Sequence, residues 1–521
     1  MSQDAIFARL ARELGLTVGQ VERCAALLDE GNTVPFIARY RKEATGEMDE
    51  NQIRTLQARL AYLRNLEAEK EKVLRVIAEQ GKLTPELERA IREAEKLQEV
   101  EDLYRPYRPK RRTRAMIARE RGLEPLAMQM LAQAEAAGFP EQFAAAYVNP
   151  DLGVASAEDA LAGARDIVAE IVSDDAAVRK MVRELTFARG VIRSAASDKG
   201  DPEKAREFEM YFDFQEPVRT LPPHRVLAIN RGERLECLKV TLEAPAEEIL
   251  ARIERQYITG RSIWEGHLRE AIADAYRRLI LPSIETEIRG ELTERAEEHA
   301  IRIFALNLRN LLLQPPIKGM TVMGIDPGYR TGCKVAAVGP TGDVLATATV
   351  FPHPPQNRWE EALATLAAMA RDHGIRLVAI GNGTASRETE RLAAQLARQV
   401  EGLRYTVVNE AGASVYSASP LARQELPSLD VSMRGAVSIA RRLQDPLAEL
   451  VKIDPQSIGV GLYQHDVRPR RLAEALDSVV ESCVNHVGVE LNTASPALLR
   501  RVSGISPALA EAIVARRREL G

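Results

Sequence analysis

TVMGIDPGYRTGCK, Thr321 to Lys334, decides how the domain around it folds. Apolar, β-favouring residues lead to Asp326, where Pro327 and Gly328 impose a turn, and a second apolar run follows at Val335 to Val338. This is a strand, a carboxylate at its tip, and a return strand. Working outward, the text predicts strands over Val322 to Asp326, Cys333 to Val338 and Val344 to Val350, then a helix from Arg358 to His373. A strand from Leu377 to Gly381, a helix from Arg387 to Val400, a strand from Tyr405 to Asn409 and further helices complete the stretch. An antiparallel meander followed by alternating strand and helix implies a mixed sheet covered by helices, the ribonuclease-H-like order.

Cleavage of phosphodiesters by two metal ions in such a fold needs carboxylates converging from the first strand tip, the fourth strand tip and a late helix. Asp326 fills the first place. In AIGNGTASRETE the fourth tip carries Asn382, whose amide oxygen is a far weaker magnesium ligand than a carboxylate, and Glu388 and Glu390 fall a turn later. The late helix, SMRGAVSIARRLQDP, has Arg434 at its start and Asp445 at its far end. No catalytic residue, bound metal or cofactor is therefore expected, and Asp326 with Asn382 is a vestigial metal-site candidate. Asp326 has a second reading as the cap of a tight turn, its carboxylate accepting backbone N–H groups. The same stretch could also form a phosphate loop through Gly328, Gly332 and Lys334, although the second acidic glycine turn such folds need is not found.

At 521 residues, 45% of them apolar, the chain is long enough for three or four domains. No N-terminal signal peptide and no membrane-length apolar run is present, so the cytoplasm is the expected location. Cys24, Cys237, Cys333 and Cys483 form no C-x-x-C pair, and the seven histidines show no H-x-x-x-H spacing, which excludes a zinc ribbon and a zinc hydrolase. The net charge of -4 conceals two basic clusters: Arg105, Arg108, Lys110, Arg111, Arg112 and Arg114, and Arg500, Arg501, Arg516, Arg517 and Arg518. Local field decides where a polyanion docks.

The N-terminal text is helical by period, with Ile53, Leu56, Leu60, Leu63 and Leu66 marking a long amphipathic helix. Pro35 within NTVPFIARYRK suggests a packed turn with a positive rim over Phe36 to Lys42, where ion pairs to Glu43 and Glu47 are the alternative. Thr84 and Pro85 start another helix, from Lys82 to Lys96. In EDLYRPYRPKRRTR two prolines predict an extended segment in which Tyr104 and Tyr107 interleave rings with cations, suited to phosphate contact and base stacking. Clamping of neighbouring acidic helices is the other use for those arginines. Ala-rich helical text runs on to Val191. Strands are expected at Arg225 to Ile229 and Glu236 to Leu242, hinged at Gly232, and Gln314 to Gly319 reads as a linker. The expected divisions are 1–200, 201–318, 319–450 and 451–521.

The C-terminal text, SPALLRRVSGISPALAEAIVARRR, reads as helix, hairpin and helix, with Ser506 as N-cap and Pro507 at the first helical position. Leu498, Leu499, Val502, Ile505, Leu509 and Ile513 form the expected apolar face. A hairpin at Ser503, Gly504 and Ile505 beside a positive helix N-terminus can hold a phosphate backbone without reading bases. Arg516 and Arg517 here, and Lys110, Arg111, Arg112 and Arg114 upstream, are the assisting cations. A protein-binding helical hairpin is the alternative.

GIDPGYRTGCK, IGNGTASRETE, NEAGASVYSASP, YQHDV and VNHVGVELNTAS, with TVPFIARYRKE and EDLYRPYRPKRRTR in the first half, resemble the bacterial Tex proteins, transcription accessory factors. The likeness covers essentially the whole chain. It implies a helical N-terminal region with a helix-turn-helix-like part, a YqgF domain similar to Holliday-junction resolvases, tandem helix-hairpin-helix units and a C-terminal OB-fold RNA-binding domain. The text stops at Gly521, after the first hairpin, and so reads as a C-terminally truncated member without the OB-fold. The resemblance also implies a catalytically degenerate resolvase-like domain, in agreement with Asn382 and Arg434. The expected function is sequence-nonspecific binding of RNA, DNA or both through the backbone, as a non-enzymatic scaffold with the transcription machinery as a further partner and no membrane. A metal-dependent nuclease using Asp326 and unrecognised acids is one alternative; a protein-interaction hub is another.

Overall fold

The computed structural model describes residues 3–109, 112–491 and 494–520. The chain divides into two compact units, one of Met1–Leu27, Ala44–Gly46 and Asn51–Glu297, the other of Leu28–Glu43, Glu47–Glu50 and Glu298–Gly521. The long helix Leu281–Leu312 runs through the division.

The first unit is mainly helical. Ile53, Leu56, Leu60, Leu63 and Leu66 are all buried along one stripe of the helix Glu50–Glu79, as their spacing requires. Thr84 accepts the Leu87 N–H at 3.2 Å and opens the helix Pro85–Glu93.

Two expectations here are corrected. The YRPYRP segment is not extended: the helix Leu97–Tyr104 passes into a 3-10 turn, Arg105–Tyr107, and only Arg108 resumes an extended backbone. Pro106 fits the first turn because a helix start needs no N–H there. The expected hairpin at Arg225 to Leu242 is also absent. Pro223–Arg234 is a helix, started by Pro223, and only Leu238–Glu243 is a strand. Val226, Leu227, Ala228 and Ile229 are all buried, and a short continuous apolar run fits either period. Gly232 is no hinge; a β-carbon there would lie 2.5 Å from the Leu238 side chain, so this glycine permits close packing. The strand belongs instead to a three-stranded antiparallel sheet in the order β2-β1-β3, with β1 Val191–Ala196, β2 Asp213–Pro217 and β3 Leu238–Glu243.

The second unit contains the ribonuclease-H-like domain. Its strands are β4 Val322–Asp326, β5 Cys333–Val338, β6 Val344–Val350, β7 Leu377–Gly381 and β8 Arg404–Val408, ordered β6-β5-β4-β7-β8. β4 pairs antiparallel with β5 and parallel with β7, which pairs parallel with β8. Strand alternation sends Met323 and Ile325 into a core with Leu363, Leu366 and Leu392, while Val322 packs on the other face against Ala436, Val437 and Ala440. The helix Val431–Gln444 lies so close to β4 that a β-carbon at Gly324 would come 2.1 Å from the Ala436 carbonyl. The Gln314 to Gly319 stretch is irregular, and the Ile317 N–H ties it to the Leu443 carbonyl at 3.2 Å.

The N-terminal segment of this unit departs from expectation. Val34–Tyr40 is a helix, not a packed turn, because Thr33 caps it and Pro35 sits in its first turn. The unit ends in a helix Pro469–Val487, a short helix Pro496–Leu499, a hairpin and the helix Pro507–Leu520. In that last helix Ala510 and Val514 are buried while Leu509 is 47% exposed. The buried face is thus one residue out of phase with the expected Leu509 and Ile513, since 509/513 and 510/514 fit one period equally well. All four cysteines are buried and unpaired. Among the described residues no helix is long and apolar enough to cross a membrane.

Candidate functional site

Parallel pairing of β4, β7 and β8 brings their C-terminal tips to one edge, where ligands bind in open α/β sheets. Asp326 ends β4, Asn382 follows β7, and Glu410 lies two residues beyond β8. Asn382 joins the tips of β7 and β8: its side-chain oxygen accepts the Glu410 N–H at 3.0 Å and its own N–H donates to the Val408 carbonyl at 3.1 Å. Its amide is therefore committed to the backbone.

Burial, the charge of Glu410 and, in opposition, Lys334 together set the Asp326 carboxyl, which is pushed up to about 6. The Asp326 carboxylate accepts no hydrogen bond among the described residues, so the turn-capping role read from the sequence does not hold. The third position of the expected cage, on the late helix, is Gly435. A β-carbon there would stand 2.8 Å from an Asp326 oxygen. Arg434 is buried and donates to the carbonyls of Leu426 at 3.2 Å and Ser417 at 3.4 Å.

Glu410 was not anticipated. Its carboxylate lies against the G-N-G turn, where β-carbons at Gly381 and Gly383 would come within 2.0 and 1.8 Å of its oxygens. Its buried Oε2 has no hydrogen-bond partner among the described residues. Arg442, also buried, grips the flanking carbonyls of Asn409 at 2.7 Å and Ala411 at 2.8 Å. The available signal was position: β8 neighbours β7, so a residue just beyond its tip reaches the same edge. Two carboxylates, an amide already bonded and a glycine do not fit a pair of metal ions. Among the described residues no three His, Cys, Asp or Glu side chains are placed to hold one metal.

The C-terminal hairpin is a second candidate. Ser506 accepts the Leu509 N–H at 3.2 Å and starts the helix Pro507–Leu520. Gly504 has φ +90° with open space around its missing β-carbon, so glycine serves the backbone angle and leaves the hairpin surface bare. Ser503 and Ile505 use their N–H groups internally, on the Asn485 side chain and the Val502 carbonyl, both at 3.0 Å. Gly504's N–H has no acceptor among the described residues. Ser503, Gly504 and Ile505 thus come together beside a helix N-terminus.

The assisting cations do not join them. Arg516, about 14 Å along the helix from its start, pairs with Glu519 at 3.0 Å. Arg517 donates to the carbonyls of Leu491 at 2.8 Å and Ala494 at 2.9 Å. Nearer the hairpin, Arg501 pairs with Asp477 at 2.7 Å and Arg500 with Glu511 at 2.5 Å.

In the first unit, Lys110 and Arg111 lie outside the described residues. Arg112 is exposed and pairs with Glu120 at 2.9 Å. Arg105 and Arg108 pair loosely with Asp174 and Glu101, each at 3.6 Å, and Arg108 also lies over the Tyr104 ring. Arg114 is exposed at a cavity of about 440 Å³ that Asp166, Glu170 and Asp174 share with it. Arg105, Arg108 and Arg112 thus each have an acidic neighbour on an adjoining helix.

A mainly helical chain with one ribonuclease-H-like domain and a helix-hairpin-helix motif is the class this fold and these sites define. The chain matches the Tex-like protein N-terminal domain over residues 4–78, the Tex central region over 135–304, the Tex protein YqgF-like domain over 320–444 and a helix-hairpin-helix motif over 484–521. It is similar to protein tex of Bordetella pertussis, with 52% identity covering 99% of this chain and 67% of that one. Its identity to the transcriptional accessory protein Tex of Neisseria gonorrhoeae is 48%, over 98% of this chain and 68% of that one. S1 RNA-binding domain-containing protein 1 of Homo sapiens is 38% identical, over 95% of this chain and 51% of that one. The chain belongs to the Tex family.

Proposed function

We propose that this chain is a sequence-nonspecific nucleic-acid-binding scaffold that accompanies transcription and does no chemistry on the strand it holds. The observation that carries the reading is the N–H of Gly504, free of any protein acceptor among the described residues beside the N-terminus of the helix Pro507–Leu520. An anion there gains a hydrogen bond and the positive end of the helix dipole, and neither depends on base identity. The names of the gonococcal and human relatives, one a transcriptional accessory protein and the other an S1 RNA-binding domain-containing protein, agree with it. The donor set at Asp326, two carboxylates with an amide already bonded, supports the non-catalytic part of the reading. The test is a salt titration of binding to labelled RNA and DNA. Neutralising about four or five phosphates would weaken affinity roughly 10²- to 10³-fold between about 50 and 200 mM salt, and a flat response would defeat the backbone-contact reading.

Glu410 favours a second reading, a nuclease that uses one metal ion between Asp326 and Glu410. Magnesium- or manganese-dependent cleavage of a labelled strand, lost in both Asp326→Asn and Glu410→Gln, would establish it in place of the scaffold.

A further inference from the structure

A cavity of about 460 Å³ opens beside the hairpin, and its opposite wall is built by the N-terminal segment that folds into the same unit. Asn32, Thr33 and Phe36 line one side; Glu481, Ser503 and Gly504 line the other. The walls are tied by one atom. Oε1 of Glu481 accepts the hydroxyls of Thr33 and Ser503, each at 2.6 Å, across 448 residues of sequence in the first case. A doubly held oxygen and a Ser503 N–H fixed on Asn485 make the space preformed.

Three properties define what fits. The volume is in the range of small-ligand pockets and many times that of one water, enough for a nucleobase with its sugar. The Phe36 ring, partly exposed, offers an aromatic surface whose partner Arg41 lies 5.1 Å from the ring centroid. Glu481 retains a second oxygen, Oε2, with no donor among the described residues. A carboxylate oxygen repels a phosphate and accepts from the amino edge of a base.

We propose that this cavity receives one unpaired base of a single strand whose phosphate rests on Gly504, with the ring against Phe36 and an amino group on Glu481. The inference rests on the backbone-contact reading of the hairpin. It adds a partner class, because a base inside a duplex reaches the cavity only by leaving its stack.

The experiment compares binding of the full chain to a short labelled single strand and to an abasic strand of equal length and charge. Base–aromatic stacking predicts that the strand with bases binds roughly tenfold more tightly. Phe36→Leu, which nearly conserves volume, should remove that preference without changing abasic binding. Photo-crosslinking of a 5-iodocytidine strand, whose base keeps its amino group, to the unmodified protein gives a readout independent of folding in the variant, and adducts should map to Phe36 or its immediate neighbours. Equal affinity for the two strands, a preference that survives Phe36→Leu, or crosslinks confined to other segments would overturn the proposal. Gly504→Asp separates the two levels. If it weakens both strands while no base preference exists, only the cavity assignment fails; if it leaves abasic binding at the wild-type value, the hairpin reading itself fails.

Discussion

Gly435 faces Asp326 so closely that a single added β-carbon would lie 2.8 Å from a carboxylate oxygen. The late helix thus approaches the strand tip through a residue with no side chain, and any side chain added there would meet the Asp326 carboxylate itself. Gly435→Ala should destabilise the α/β domain by about 1–3 kcal/mol through overpacking. Asp326→Ala should recover much of that loss, so the double variant will be non-additive. Urea unfolding midpoints, with hydrogen exchange of the β4 amides as the local probe, measure the cycle, and simple additivity would show that the two residues do not contact.

The raised Asp326 carboxyl gives a stability prediction with a definite sign. Its folded value is about 6 against an ordinary 3.8, so between those values the folded chain binds the extra proton. Stability therefore falls as pH rises through that window, and the penalty is complete above it. Asp326→Asn should be more stable than the parent near neutrality, by no more than about 3 kcal/mol and by less once solvent screening is allowed for. The difference should vanish below about pH 4. Glu410→Gln should move the parent's transition downward, since Glu410 is the second contributor after burial. Unfolding midpoints across this range decide the matter; a difference that persists at low pH would place the effect in packing.

Legibility followed the strength of local punctuation. Every strand of the α/β domain was readable because apolar alternation ended at Gly, Pro or Asn, and boundaries moved by one residue only at β8. Where punctuation was ambiguous the reading failed: VLAIN between a proline and a glycine suits strand or helix, and tertiary packing chose the helix Pro223–Arg234. Asp326 and Asn382 were found because they end strands whose order was known. Glu410 carries no such mark, since it stands two residues past β8, a tip to which the two-metal scheme assigns no ligand, and the tie of Thr33 to Glu481 crosses too much sequence for any local signal.

Gly504 occupies φ +90°, and among the described residues nothing lies within 4 Å of an added β-carbon. Replacement should therefore cost backbone energy and no packing. Gly504→Ala should lose about 1 kcal/mol, and Gly504→Asn less, because asparagine tolerates left-handed backbone. The bound strand provides the functional contrast. Gly504→Asp should weaken nucleic-acid binding by more than its small loss of stability explains, since its carboxylate would face the phosphate. Thermal melts alongside binding titrations test this, and parallel losses in all three variants would mean that the residue matters only for folding.

Arg517 and Arg516 are adjacent, yet the structure uses them differently. Arg517 closes on the carbonyls of Leu491 and Ala494, and removing its guanidinium leaves both acceptors without that donor. Arg517→Ala should cost about 1–3 kcal/mol and speed amide exchange in the hairpin. Among the described residues Arg516 holds only Glu519, on an exposed surface, so Arg516→Ala should cost well under about 1 kcal/mol. Since Arg517 is engaged internally, its replacement should leave the salt dependence of binding unchanged, whereas a phosphate-contacting arginine would lower the slope by about one. A reduced slope in Arg517→Ala at unchanged stability would return that residue to the bound strand and would mean that its two carbonyl contacts open when nucleic acid arrives.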